Sequence, residues 1–179
     1  RPLDIPDLKL IEPQVFGDAR GFFLETWSRE KFRAAGLEVD FMQDNLSRSN
    51  RGTLRGLHYQ IQHPQGKLVR CLSGEVLDVA VDIRRSSPTF GRHCSVVLSE
   101  ENKLALWVPP GFAHGFRVLS ETADFSYKCT DVYAPMHERT ILWNDPVLGI
   151  DWCLSPGEAP ILSGKDESGT LFHDAEVYE

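Results

Sequence analysis

The stretch Gly52-Thr53-Leu54-Arg55-Gly56-Leu57-His58-Tyr59-Gln60 sets an arginine and a histidine inside an otherwise strand-like run. Two later segments carry related chemistry, Gln65-Gly66-Lys67 and Pro109-Pro110-Gly111-Phe112-Ala113-His114-Gly115-Phe116. An imidazole titrates near neutral pH and can take up or return a proton. An ammonium can stabilise an oxygen on which negative charge develops. Carried on separate strands around one pocket, these groups can move protons without a metal. Each also has an ordinary reading when taken alone. A single strand histidine is a satisfied core residue, and Lys67 beside Gly66 reads first as a surface lysine at a turn. Asp78 reads as solvent-facing.

The elements that must position these groups are strands. From about Phe41 to Lys128 the chain alternates short strand patterns with turn signals, the spacing of a sandwich or barrel. In Val76–Ile83 the clearest alternation puts Leu77, Val79, Val81 and Ile83 on one face and Asp78, Ala80 and Asp82 on the other. The two acids predict a second face open to a wet cavity or to solvent, with Asp78 placed to pair with Lys67. Further strands are expected at Ser95–Leu98, Leu104–Val108 and Gly115–Leu119. Ser28 caps a short helix from Arg29 to Ala35, stopped by Gly36. The Pro-, Gly- and Asp-rich segment 131–179 predicts loops and short helices. Strict alternation from Thr53 to Ile61 puts Arg55 and His58 on opposite faces. If both meet a ligand, the strand must bulge or twist, and Gly56 is the natural place; alternatively, one of them serves a neighbouring subunit's site.

The bulk numbers exclude several function classes. With 19 basic and 26 acidic residues the net charge is −7, which argues against a nucleic-acid surface. A few local cations can still build a pocket for a small anion. No run approaches the roughly 18 apolar residues of a membrane span, and no signal-peptide pattern is visible. Cys71, Cys94, Cys129 and Cys153 are widely spaced, so they read as free, buried thiols in a cytoplasmic protein. The chain length fits one domain, 1–179, with a core barrel at about 41–130.

Gly52 and His58, followed by Pro109-x-Gly111-x-x-His114, resemble the two motifs of the cupin double-stranded β-helix, a mainly β jelly-roll barrel. A metal-binding cupin would carry a second histidine and then a glutamate where this chain has Gln60 and Pro64 or Gln65. The resemblance is therefore to a metal-free cupin; an oxygenase would need His58, His63 and His114 as ligands at a poorly fitting spacing. The match narrows over Gly17–Glu25, Gln43-Asp44-Asn45-Leu46-Ser47, Leu54–Gln60, Gln65–Arg70, Asp78–Arg84, Gly111–Phe116, Tyr127-Lys128, Tyr133-Ala134-Pro135 and Ser163-Gly164-Lys165-Asp166. Through these segments the chain resembles the dTDP-4-dehydrorhamnose 3,5-epimerases along nearly its whole length.

That resemblance implies a cofactor-free isomerase acting on a dTDP-linked 4-keto-6-deoxy sugar. The alternatives are a relative inverting carbon 5 only, a related ketoisomerase, or a sugar-nucleotide binder without catalysis. It implies His58 as base, oriented by Asp166, and Lys67 at the enolate oxygen. Tyr127 is implied as the acid across the ring, with Tyr133 competing. His114 lines the pocket and orients Asp78 or the substrate. Arg20 and Arg55 are implied at the diphosphate, Glu25, Gln43 and Asn45 at the nucleotide, and Phe23 against the thymine. It implies a homodimer that exchanges N-terminal strands, about residues 8–27, so that Arg20, Phe23 and Glu25 complete a partner's pocket.

Overall fold

The computed structural model describes Arg1 and residues 3–179. Its strands are β1 (Lys9–Ile11), β2 (Val15–Asp18), β3 (Gly21–Leu24), β4 (Gln43–Asn50), β5 (Leu54–Gln60), β6 (Lys67–Ser73), β7 (Glu75–Asp82), β8 (His93–Ser99), β9 (Ala105–Val108), β10 (Phe112–Val118), β11 (Thr122–Cys129) and β12 (Glu138–Thr140). They form two five-stranded antiparallel sheets, ordered β1-β9-β6-β11-β4 and β12-β5-β10-β7-β8, with β2–β3 as a separate hairpin. This is the cupin-like, mainly β architecture. Among the described residues, helix is confined to α1 (Arg29–Ala34), capped by the Ser28 hydroxyl, to α2 (Gly164–Glu167), and to short 3-10 turns at Pro135–His137 and Phe172–Asp174.

The first core lies between the sheets. Val69, Leu106 and Phe125 of one sheet meet Val76, Leu98, Phe116 and Val118 of the other, closed by Ile5 and Leu8. The outer face of the second sheet is covered as well. Leu54, Leu57, Tyr59, Leu77, Val79 and Val81 pack under Ile141, Leu148, Trp152 and Phe172 of the C-terminal segment. A sheet apolar on one face must bury it against another layer, and here that layer is the loop-rich C-terminal segment.

This double coverage corrects the expectation for β7. Its second face does not open to solvent: Asp78 and Asp82 are both fully buried. A buried carboxylate persists only when paired, and both are. Asp82 receives Arg84 Nε (2.9 Å), the Ser87 hydroxyl (2.6 Å) and the Thr89 hydroxyl (2.6 Å). Those bonds overcome burial and bring its pKa down to about 2. Asp78 holds His114, not Lys67, with Nε2 at 2.9 Å from Oδ2 and 3.0 Å from Oδ1. Alternation places a residue on a face; it does not choose the partner.

Edge strand β4 keeps strict alternation, with Gln43, Asn45, Ser47 and Ser49 turned inward and Asp44, Leu46, Arg48 and Asn50 exposed. Its inward face is polar, so at that end the space between the sheets is a wet cavity.

Candidate active site

The cavity has a volume of about 360 Å³. One wall is Gln43, Asn45 and Ser47 of β4, Lys67 of β6 and Tyr127 of β11; the other is Arg55 and His58 of β5 and His114 and Phe116 of β10. Tyr133, Glu138 and Lys165 stand at the rim and Phe125 lies beneath. Among the described residues, three side-chain cations, Arg55, Lys67 and Lys165, share this space with a single lining carboxylate, Glu138. An acidic chain has thus concentrated positive charge where an anionic ligand can be held.

Arg55 and His58 both face the cavity because β5 carries a bulge. Against β10, His114 pairs with His58 and Phe116 with Arg55, so β5 has one more residue than its partner over that interval. The extra residue lets Leu54, Leu57 and Tyr59 reach the outer core while Arg55 and His58 turn inward. Gly56 permits it: its φ is +132°, and a Cβ there would lie 2.5 Å from Gly115 Cα and 2.9 Å from the His114 carbonyl oxygen.

The bulge also exposes a backbone donor. Gly56 N–H and His58 Nε2 both meet Asp166 Oδ1, at 3.1 Å and 2.6 Å. Asp166 comes from α2 and is buried. Burial alone would raise its pKa, but the bonds from His58, Ser163 and Gly56 outweigh burial and bring it to about 2. The ionised carboxylate accepts a hydrogen bond from Nε2–H, which fixes that tautomer and leaves Nδ1 as the basic nitrogen. Burial pulls the His58 pKa below its usual value, and Asp166 pulls it partly back. At neutral pH the ring is therefore a free base beside a carboxylate that can stabilise its protonated form.

Burial also lowers the Lys67 pKa, with Asp78 and Glu138 among the charges opposing that shift. Its ammonium has no hydrogen bond among the described residues and lines the cavity. Tyr127 and Tyr133 differ in a way the sequence did not reveal. Tyr133 donates its hydroxyl to Glu138 at 3.0 Å, and that bond raises its pKa. Tyr127 is half-buried, and burial raises its pKa, with Arg55 pulling the other way. Its hydroxyl makes no bond among the described residues.

Glu138, Lys165, Gln65 and Ser47 line the cavity but were not singled out in the sequence. Glu138 bonds Lys165 Nζ at 2.8 Å, which outweighs burial and holds its carboxyl low. Lys165 adjoins Asp166, and Gln65 and Ser47 lie inside quoted motifs, so those signals were present. Nothing local marked Glu138. His63 stands outside the cavity lining, 3.5 Å from Asp131, so the three-histidine arrangement is not assembled.

Arg20, Phe23 and Glu25 do not join the cavity within one chain. Arg20 is bound to Asp18 and Glu25 to Lys31, while Phe23 lies on the exposed β2–β3 hairpin at 69% exposure.

The dTDP-4-dehydrorhamnose 3,5-epimerase family model matches residues 2–174. A dTDP-4-dehydrorhamnose 3,5-epimerase of Pseudomonas aeruginosa is 60% identical over 177 residues, 98% of this chain and 97% of that relative. The crystal structure of a dTDP-6-deoxy-D-glucose-3,5-epimerase from Legionella pneumophila, in complex with dTDP-4-keto-L-rhamnose, superposes with a TM-score of 0.94 at 53% identity, covering 98% of this chain and 93% of that one. A 3'-monoepimerase from Streptomyces bikiniensis, in complex with dTDP-quinovose, has a TM-score of 0.89 at 37% identity, covering 96% and 87%. The chain belongs to the dTDP-4-dehydrorhamnose 3,5-epimerase family.

Proposed function

We propose that His58 and Tyr127 epimerise carbons 3 and 5 of dTDP-4-dehydro-6-deoxy-D-glucose from opposite walls of the cavity, giving dTDP-4-dehydro-L-rhamnose. The chain is an epimerase of dTDP-L-rhamnose biosynthesis. Both carbons flank the 4-keto group, so a proton lost from either leaves an enolate. Inversion then needs the proton returned on the other face. The observation that carries this reading is the His58–Asp166 bond of 2.6 Å on one wall, facing Lys67 and Tyr127 on the other.

His58 removes the proton, and Asp166 stabilises the imidazolium that forms. Lys67 meets the enolate oxygen, where a cation stabilises the negative charge that develops. Tyr127 returns the proton; its hydroxyl makes no hydrogen bond among the described residues, whereas that of Tyr133 is spent on Glu138. His114, fixed by Asp78, borders the sugar. Arg55 grips the diphosphate, and Gln43, Asn45 and Tyr133 contact the nucleotide. Each inversion leaves His58 protonated and Tyr127 deprotonated, and exchange with solvent water returns both to their starting states.

The exposed β2–β3 hairpin serves a second copy of the chain. Phe16, Phe22 and Phe23 are 54%, 63% and 69% exposed, an apolar surface suited to burial in a homodimer. Arg20, Phe23 and Glu25 then complete the partner's pocket. The four free thiols support a cytoplasmic setting.

The test is incubation with the 4-keto sugar nucleotide in deuterated water after chelator treatment, followed by NMR. Deuterium at carbons 3 and 5, with coupled turnover by a reductase, supports the double epimerisation. Exchange at one carbon alone assigns a single-centre activity, the reading that the monoepimerase likeness favours. No exchange at either refutes the proton-transfer cycle.

A further inference from the structure

We infer that the Ser163 hydroxyl is a positioning residue for the catalytic base, acting through Asp166. Asp166 Oδ1 is occupied by His58 Nε2 and Gly56 N–H. Oδ2 receives the Ser163 hydroxyl at 2.6 Å. At 2% exposure the carboxylate has little access to water, so the donors that fix its rotation are protein groups. The serine is fixed in return, because its oxygen accepts the Asp166 N–H at 3.3 Å as the cap of α2. Ser163 does not line the cavity, so it acts on the reaction through the carboxylate alone.

Without the hydroxyl, Oδ2 would lose its donor and the carboxylate would become more basic. It would still be ionised at neutral pH, since its pKa starts from about 2. More of its charge would then act on His58, favouring the imidazolium and moving the His58 titration upward. The ring would also be held less firmly, slowing proton removal while leaving substrate contacts in place.

The variants separate this role from helix capping. Glycine is tolerated as an N-cap, so Ser163→Gly removes the donor and keeps α2. Ser163→Thr keeps both hydroxyl and cap. The inference rests on His58 as the base, so the first readout is made without substrate: NMR titration of the His58 ring, assigned against His58→Ala. The expected result for Ser163→Gly is a titration raised by about half a pH unit, with kcat reduced roughly three- to tenfold at unchanged KM. Ser163→Thr should match the parent. An unchanged or lowered His58 titration in Ser163→Gly overturns the inference whatever the activity does. A failure of His58 as base would appear separately, as turnover surviving in His58→Ala.

Discussion

Replacing Asp166 by asparagine tests the proton-handling pair at its most exposed assumption, that a buried charge beside His58 drives the reaction. The substitution keeps the shape and removes the charge. The Nε2–Oδ1 contact of 2.6 Å joins a group at 22% side-chain exposure to one at 3%, so solvent screens it weakly. A hydrogen bond to a charged partner contributes about 1.5–3 kcal/mol, which corresponds to a loss of roughly 10- to 150-fold in kcat when it forms fully only with the imidazolium. The His58 titration should fall further, because burial would then act without its main opponent, and the acid limb of kcat/KM should move to lower pH. Stability should fall as well. The Asp166 pKa drops from 3.8 to about 2 on folding. Its contribution, about 2 kcal/mol, is present above the unfolded value and is lost as pH falls through the folded one. Urea unfolding at pH 7 and stopped-flow turnover measure the two effects independently. A folded Asp166→Asn protein with kcat within threefold of the parent and an unshifted His58 titration would refute the reasoning.

Tyr127→Phe should lower kcat by roughly 100-fold or more, the lower end of general acid catalysis, whereas Tyr133→Phe should act mainly on KM; steady-state kinetics showing the reverse order would exchange their roles. Asp82→Asn should cost about 2 kcal/mol in urea unfolding at pH 7, because the Asp82 pKa falls from 3.8 to about 2 on folding. That difference from the parent should vanish as pH drops toward 2. Gly56→Ala should lose both stability, by more than about 1 kcal/mol, and turnover, because its Cβ would meet the Gly115 backbone at 2.5 Å; an unaltered urea midpoint would show that the bulge tolerates a side chain.

The site was legible where local chemistry and local geometry coincide. The conflict between alternation and function at Arg55 and His58 pointed to a bulge at Gly56, and the register against β10 contains it. The inward face of β4 also keeps a period of two, whereas the inward turn of Lys67 and Tyr127 was implied by the family resemblance and not by spacing, which read Lys67 first as a surface residue. Partner choice was legible only in part. His114 was expected to orient Asp78 or the substrate, and it meets Asp78 across the β7–β10 pair, whereas the expected Lys67 partner does not. The Tyr133–Glu138 bond spans only five residues, but it starts from a loop without periodicity. Glu138 was invisible for a related reason. It sits on a three-residue strand with no periodicity of its own, placed by its pairing with β5.

The same geometry ties the chemistry to the second core. Asp166 lies 108 residues from His58, and it sits on α2, outside the sheet that carries β5. What brings it there is the packing of Ile141, Leu148, Trp152 and Phe172 on the outer face of the second sheet. Ile161 bridges Thr53 just before the bulge. Arg117, buried in β10, reaches the Trp152 and Cys153 carbonyls at 2.8 and 2.6 Å and binds Glu158 as well. These contacts span the outer surface of the sheet whose inner surface carries the base. Local opening starts where few apolar contacts hold a segment, and the stretch from Cys153 to Ser163 adds no residue to the fully buried apolar core. Weakening the Arg117 anchor would therefore free that stretch, and Asp166 with it, before the barrel itself unfolds. Turnover should then be lost at lower denaturant than the signal from the inter-sheet core.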